Sequence, residues 1–450
     1  MKLKDINGRE YELIASVGSG GQASAHKARR KDDRAEVVVK LYHHKPSGTL
    51  LQAQRERLQK IIDHGREISA QLPDVLICFP TDIIDDRSHF GVVMPTATGK
   101  EMAHDCWFLP PDNQTPEFTG KAIYAVHQNA FPYQNLILGA FCVARAIDLL
   151  HRKGMAHSDL SLGNVFIDPS KGIVSIIDCD NLACDGYLAH QVHGTPGFIA
   201  PELLCNKGNA VVSTRTDRFS LAVILYYLLV LRHPFIGNQG NNWNPAHKAP
   251  EDSYGIRAIF TEHPTIASNR FKGNLPHIAF GSLPEAIRNM FVEVFVHGLK
   301  SPDKRPTSRL WAQELWRAFE DTLECERCRQ RFFVSPNKAK CSFCHHTSKG
   351  PHYTLRSTNG RMLFAEHGRK VYPHHSSISK EFDFSNELCE FQMRPMGNGA
   401  SQMILRNLNA RNLEVVIGGA ARRCEPGKGF VLKGVGNVTI GDISYVVESL

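Results

Sequence analysis

The stretch His157-Ser158-Asp159-Leu160-Ser161-Leu162-Gly163-Asn164 decides the reading of this chain. A carboxylate follows a histidine by two residues and precedes a carboxamide by five. Nineteen residues past Asp159, the apolar run Ile173-Val174-Ser175-Ile176-Ile177 ends in Asp178-Cys179-Asp180. Such a β-branched run reads as a strand, so the chain delivers Asp178 at a strand end. A proton acceptor beside a cation-binding amide, followed by a strand that presents a carboxylate, is what phosphoryl transfer asks of a protein. Read singly, Asp159 and Asn164 are turn caps and Asp178 a strand terminus. The order and spacing of all three together favour the chemical reading.

Upstream, Tyr11 to Val17 reads as a strand, Gly18-Ser19-Gly20-Gly21 as a turn and Glu36 to Tyr42 as a second strand carrying Lys40. Leu50 to Leu72 has helical periodicity, and Phe90 to Pro95 is a strand stopped by proline. A glycine turn alone is a hairpin, and a strand lysine alone snorkels to water. In this order they suggest backbone N–H groups approaching phosphate oxygens and a buried ammonium that needs anions. Residues 101 to 132 form an irregular segment with four prolines. Helices follow from Tyr133, over Leu221 to Leu231, and twice between Leu283 and Phe319.

From about residue 10 to 320 this pattern resembles the protein kinases. The resemblance implies an α+β, bilobal protein-kinase fold, with residues 1–98 as N-lobe and 99–322 as C-lobe. It implies ATP and Mg²⁺ (or Mn²⁺) as cofactors. Gly18, Gly20 and Gly21 would cover the phosphates, and Lys40 would hold them, paired with a glutamate of the following helix. Glu56 is preferred for that pairing and Glu67 is the alternative. Met94 would lie behind the adenine, with backbone groups of Pro95 and Ala97 meeting the base. Asp159 would take the acceptor proton, and Asn164 and Asp178 would hold the metal. Gly194 to Glu202 resembles the end of an activation segment. Asp217 corresponds to a brace for the catalytic loop, and Arg305 to the partner of Glu202.

Finer features, Asp178-Cys179-Asp180 and Arg232-His233-Pro234-Phe235, resemble bacterial kinases of tellurite-resistance and stress clusters. That likeness implies a von Willebrand A-type protein and a metal-dependent phosphatase as partners. Several residues depart from the kinase pattern, Ala23 in place of the third loop glycine among them. Ser158 replaces the arginine that reads a phosphorylated activation loop, and Ser161 replaces a lysine that touches the γ-phosphate. Asp180 stands where kinases have glycine, either as an extra carboxylate near the metal or facing water.

Of twelve cysteines, four form Cys325-x-x-Cys328 and Cys341-x-x-Cys344, twelve residues apart. Two such knuckles give four thiolates for one Zn²⁺ in a closed, structural site. Residues 323–349 therefore read as a zinc ribbon. Arg329, Arg331, Phe332, Phe333, Lys338 and Lys340 between the knuckles read as a small core with solvated charges, ahead of a nucleic-acid grip. Beyond, residues 350–450 alternate short β-type runs with turns, as an all-β sandwich does. Met403 to Asn412 with Val438 to Gly441 faintly resembles the later strands of forkhead-associated domains, without their phosphopeptide-reading elements.

At 450 residues the chain needs more than one domain. Its net charge of +8 is modest, and no long apolar run or secretory leader is visible, so a cytoplasmic location without membrane attachment is expected. The favoured function is ATP- and Mg-dependent transfer of phosphate to Ser/Thr hydroxyls of protein substrates in bacterial stress signalling. The alternative is a weakly active or pseudokinase scaffold that binds ATP and recruits partners through the ribbon and β domain.

Overall fold

The computed structural model of the chain describes residues 1–72, 75–101, 132–168, 170–184, 194–195, 197–205, 211–237, 254–271, 278–334, 339–348, 352–397, 401–409, 411–417 and 420–449. The proline-containing segment expected over 101–132 lies almost wholly outside them. The chain divides into two compact units: Met1–Gly281 with Ala286–Leu315, and Ser282–Glu285 with Trp316–Leu450.

The first unit begins with six antiparallel strands: β1 (Lys2–Lys4), β2 (Glu10–Ser19), β3 (Ala23–Arg30), β4 (Glu36–Tyr42), β6 (Asp82–Asp85) and β7 (Phe90–Pro95), in spatial order β1-β2-β3-β4-β7-β6. Alternation in β4 is the organising feature. Val37, Val39 and Leu41 join one apolar cluster with Tyr11, Ala28, Ile84 and Val93. Val38, Lys40 and Tyr42 point the other way, where Val38 and Tyr42 pack on a second cluster of Leu58, Ile62, Ile83, Phe90, Val92 and Met94. Helix α1 (Gly48–Ser69) supplies part of that cluster. Its buried stripe is Arg57, Leu58, Ile61, Ile62, Gly65 and Ile68, the i, i+3, i+4 pattern of a helix covering a sheet.

A smaller sheet, β5 (Val75–Ile77), β11 (Ile173–Ile176), β10 (Val165–Asp168) and β8 (Lys100–Glu101), leads to the helical part. Short β9 (Met155–Ala156) pairs with β12 (Ala183–Cys184). Helices α2 (Tyr133–Arg152), α3 (Pro201–Cys205), α4 (Thr214–Val230), α5 (Glu285–Val292) and α6 (Ser308–Glu320) follow in chain order. α2 is long and apolar enough to cross a membrane, but 83% of that window is buried inside the protein. Its Tyr133 hydroxyl donates to the Leu229 carbonyl of α4 at 2.8 Å.

Arg305 locks this helical region. It grips Glu202 with two parallel bonds of 2.8 and 2.7 Å and donates to the carbonyls of Gly298 and Arg215, at 2.9 Å each. Its side chain is fully buried. Removing one partner of such a pair leaves an uncompensated buried charge, so Arg305→Ala is expected to cost ~3–5 kcal/mol. A urea-midpoint shift worth less than about 1 kcal/mol would show the pair to be idle.

His233 adds a pH dependence. Its Nδ1 accepts the Phe235 N–H at 3.1 Å, so Nε2 carries the proton it donates to the Gly197 carbonyl, also 3.1 Å. Burial holds its pKa down to about 4 from 6.5, against the small opposing effect of that carbonyl. The neutral ring is favoured in the fold, so its contribution is full above the unfolded value and is lost as pH falls toward the folded value. Between roughly pH 6.5 and 4 the loss should reach about 3 kcal/mol. Urea midpoints should show that slope, and His233→Gln should flatten it. An unchanged slope in the variant would remove His233 from the account.

The second unit holds the hairpin β13 (Thr322–Glu324) and β14 (Arg331–Phe333), then ten strands in two antiparallel sheets. The first contains β15 (Tyr353–Ser357), β16 (Met362–Ala365), β20 (Leu413–Ile417), β21 (Ala420–Cys424), β23 (Val435–Ile440) and β24 (Ile443–Ser449). The second contains β17 (Lys370–Val371), β18 (Cys389–Pro395), β19 (Ser401–Asn407) and β22 (Gly429–Val431). Leu355, Val438 and Tyr445 from one sheet and Val371, Phe391 and Leu405 from the other share one core, which makes the region a sandwich. The cysteine hairpin is not a separate body. Phe364 of β16 sits in its core with Leu323, Cys325, Phe332, Val334 and Cys341. Glu366 beside it accepts from Arg331 and, at 3.1 Å, from Arg369.

Candidate functional site

The site is assembled where β4, the 157–164 loop and the end of β11 meet. β4 carries Lys40, whose ammonium is paired with both Asp178 and Asp180. Burial alone would lower the pKa of Lys40, but Asp180 and then Asp178 outweigh it and raise it above the usual lysine value. Backbone bonds join the loop to the Asp178 segment. The ring Nε2 of His157 donates to the Ile177 carbonyl at 2.9 Å, and Ile177 N donates to the Asn164 carbonyl at 3.0 Å. Ser158 and Asp178 both adopt left-handed backbone, with φ of 69° and 63°. Residues in that region persist when their surroundings over-determine them.

The surroundings here are specific. Asp217, in the first turn of α4, accepts the His157 and Ser158 N–H groups at 2.6 and 3.2 Å and thereby holds the loop. Asp159 Oδ1 accepts both the N–H and the hydroxyl of Thr195 at 3.0 Å. Asn164 Nδ2 donates to the Asp159 carbonyl at 2.7 Å, with Oδ2 of Asp159 at 3.3 Å. With its amide nitrogen so committed, Asn164 offers its oxygen to a cation, as Asp178 does. Hard oxygens of this kind suit a divalent ion coordinated by carboxylates and phosphates.

Gly20 and Gly21 form an exposed turn between β2 and β3, closed by Gly20 N to Ala23 O at 2.9 Å, and Gly18 precedes it at the end of β2, paired with Ala25. An added Cβ at Gly18 or Gly21 would meet nothing within 4 Å, and none of the three has positive φ. The fold itself therefore does not require glycine here, whereas close approach of a phosphate to the backbone does. Met94 is buried behind this face with Val92 and Leu58, and Pro95 and Ala97 continue from it, both half-buried.

The protein kinase domain family matches residues 11–316. The chain belongs to that family. Serine/threonine-protein kinase Nek3 of Oryza sativa is 22% identical over 74% of this chain and 48% of its own length. The DNA damage-responsive serine/threonine-protein kinase RqkA of Deinococcus radiodurans is 26% identical over 51% of this chain and 31% of its own. The chain thus spans half or less of these relatives. The autoinhibited serine kinase domain of titin is a looser likeness: 18% identity over 70% of this chain and 81% of that one, with a TM-score of 0.46.

One kinase assignment needs correction. Glu56 does not meet Lys40. It is exposed on the outer face of α1, where its carboxylate accepts from Gln52 at 3.1 Å. Glu67 is exposed too and pairs with Lys153. The inward position of that turn is Arg57, as the buried stripe requires. Three further participants were not singled out by the motifs: Thr195 on Asp159, Tyr42, whose hydroxyl donates to Asp180 at 2.6 Å, and Asp180 as a partner of Lys40. Ser158, in place of the kinase arginine, donates its hydroxyl to the Asn181 carbonyl at 3.1 Å. Ser161 is buried.

Cys325, Cys328, Cys341 and Cys344 place their sulfurs within 4.8 Å of one another. Two edges measure 3.5 and 3.6 Å, far outside disulfide range. A tetrahedron with ~2.3 Å metal–sulfur bonds has edges of roughly 3.8 Å, so the four thiols fit one ion. Both knuckles close alike. Arg329 N donates to the Cys325 carbonyl at 2.9 Å and His345 N to that of Cys341 at 3.0 Å, and both residues have positive φ.

Glu320, His374 and His375 form a second cluster of ligand-type residues. Nδ1 of His375 accepts the Tyr372 N–H and Nδ1 of His374 the Phe382 N–H, each at 2.8 Å. Both rings therefore carry their proton on Nε2, and His375 donates it to Glu320. This cluster is a hydrogen-bonded core element in which neither imidazole keeps a free nitrogen lone pair for a metal.

Proposed function

We propose that the first unit transfers the γ-phosphate of ATP to Ser/Thr hydroxyls of protein substrates. The observation that carries this reading is the joint placement of Lys40 on Asp178, Asn164 on Asp159 and Asp217 under the loop. In this reading Lys40 and the glycine turn hold the phosphates, and Met94 to Ala97 line the adenine site. Asn164 and Asp178 hold Mg²⁺, which supplies charge neutralisation when bound. Asp159, fixed by Thr195 and Asn164, orients the acceptor hydroxyl and receives its proton. Two carboxylates around one ammonium leave net negative charge, which suits a dication. Ser158 offers no cation for a phosphorylated activation loop, so control by that route is not part of the proposal.

The four cysteines hold a structural Zn²⁺ in this reading, and the second unit serves as a docking body. The bacterial kinase relatives, among them RqkA, are the support for a role in bacterial stress signalling. The test is intact-mass spectrometry of the chain and of candidate protein acceptors after incubation with Mg-ATP. A mass gain of one phosphate on an acceptor or on the chain itself is expected. Absence of any transfer would overturn the catalytic reading and leave an ATP-binding scaffold.

A further inference from the structure

Lys40 is the residue whose orientation decides how the phosphates are held, and in kinases a glutamate of the following helix fixes it. Here that helix turns a cation inward. Arg57 is 5% exposed, on one stripe with Ile61 and Gly65. Its Nη1 donates to the Leu182 carbonyl at 3.3 Å, while Nε and Nη2 have no hydrogen-bond partner among the described residues. Both carboxylates on Lys40 come instead from the segment after β11. The two are not equivalent. Asp178 is partly exposed, whereas Asp180 is completely buried. Asp180 gives one oxygen to Lys40 at 2.8 Å and the other to the Tyr42 hydroxyl at 2.6 Å. Tyr42 lies two residues beyond Lys40 on the same face of β4.

We propose that Asp180 is the positioning residue for Lys40, taking the part that a helix glutamate plays in the family, and that Arg57 is its charge-inverted counterpart on α1. The reading rests on the proposed phosphotransfer, and its logic is one of occupancy. Asp178 is the carboxylate that a metal ion would claim, so it cannot also be the fixed anchor of the ammonium. Asp180, clamped by Tyr42 and shut off from water, can. A buried guanidinium needs a compensating charge. Arg57 reaches the carbonyl two residues past Asp180, and its charge acts on the Tyr42 phenol in opposition to burial and Asp180, which raise that phenol's pKa. The consequence is regulatory. Lys40 is set by the segment that carries Asp178 and not by swinging of α1.

The test measures kcat and KM for ATP, and Mg-ATP affinity by calorimetry, in wild type, Glu56→Gln, Asp180→Gly, Asp180→Asn and the double variant Arg57→Glu with Asp180→Gly. Asp180→Gly and Asp180→Asn should each lower kcat about 100-fold, the scale of a misplaced phosphate contact. The double variant, which returns a carboxylate to α1, should recover about tenfold over Asp180→Gly, a coupling that a merely structural role would not show. Glu56→Gln should change kcat less than about threefold. A double variant no better than Asp180→Gly, or a Glu56→Gln loss as large as that of Asp180→Gly, overturns the proposal. Asp180→Asn keeps volume and decides the matter if the glycine variant melts early. If wild type transfers no phosphate, the kinase reading fails separately. The same pattern of loss and recovery is then required of Mg-ATP affinity, and its absence there sinks the proposal too.

Discussion

Asp159→Asn is expected to reduce phosphate transfer by about 1,000-fold, within the range that a positioned general base supplies. The substitution is nearly isosteric. The retained oxygen can still accept from Thr195, whose N–H and hydroxyl both lie 3.0 Å from Oδ1. What is lost is the negative charge and the ability to receive a proton. Lys40 and Asp178 are untouched, so Mg-ATP should still raise the melting temperature of the variant. Labelled γ-phosphate transfer checks the first statement and a thermal shift the second. A loss below tenfold would show that Asp159 is not the base, while a loss of both transfer and the thermal shift would point to a collapsed site.

Cys341→Ser should abolish a stoichiometric zinc and unfold the hairpin around it. Structural zinc contributes apparent free energies of ~10–16 kcal/mol in small peptides, far more than the few buried side chains of this hairpin supply. Cys341 is itself fully buried, and its sulfur accepts the Phe343 N–H at 3.4 Å, so serine replaces a thiol at the centre of the module. Metal analysis should find one zinc per chain in wild type and none in the variant. Hydrogen exchange should show protection lost first over Thr322 to Phe333 and then at Phe364. Wild-type protein without zinc, or a variant that keeps both metal and protection, would reject the assignment.

Much of this was legible in the sequence because it is local. β4 and β7 fall at Glu36–Tyr42 and Phe90–Pro95, and α2 begins at Tyr133, as periodicity and proline placement predict. The spacing from Asp159 to Asn164 and Asp178 is likewise a property of one loop and one hairpin. The Lys40 partner was not legible by distance along the chain. Phase would have excluded Glu56, since Leu58, Ile61, Ile62 and Ile68 mark the covered face and put residue 57 on it. Asp180 reads in the sequence as an extra carboxylate near the metal or as a side chain facing water, and its bond to Lys40 lies beyond that reading because it joins residues 140 apart. β18 and β21 both escaped notice. Arg422 and Arg423 interrupt the apolar alternation of β21, whereas β18 does alternate over Cys389, Phe391 and Met393 and was legible as a strand. The shared core at Phe364 was invisible because Met362 to Ala365 reads as an ordinary strand on its own.

That plug of Phe364, with Glu366 bridging Arg331 and Arg369, makes the cysteine hairpin and the sandwich one mechanical body. Cutting between them would strand an aromatic ring and a carboxylate on one fragment and two knuckles without a floor on the other. The hairpin thus depends for its floor on the sheet that follows it, and the sheet on the hairpin for the partner of its buried carboxylate.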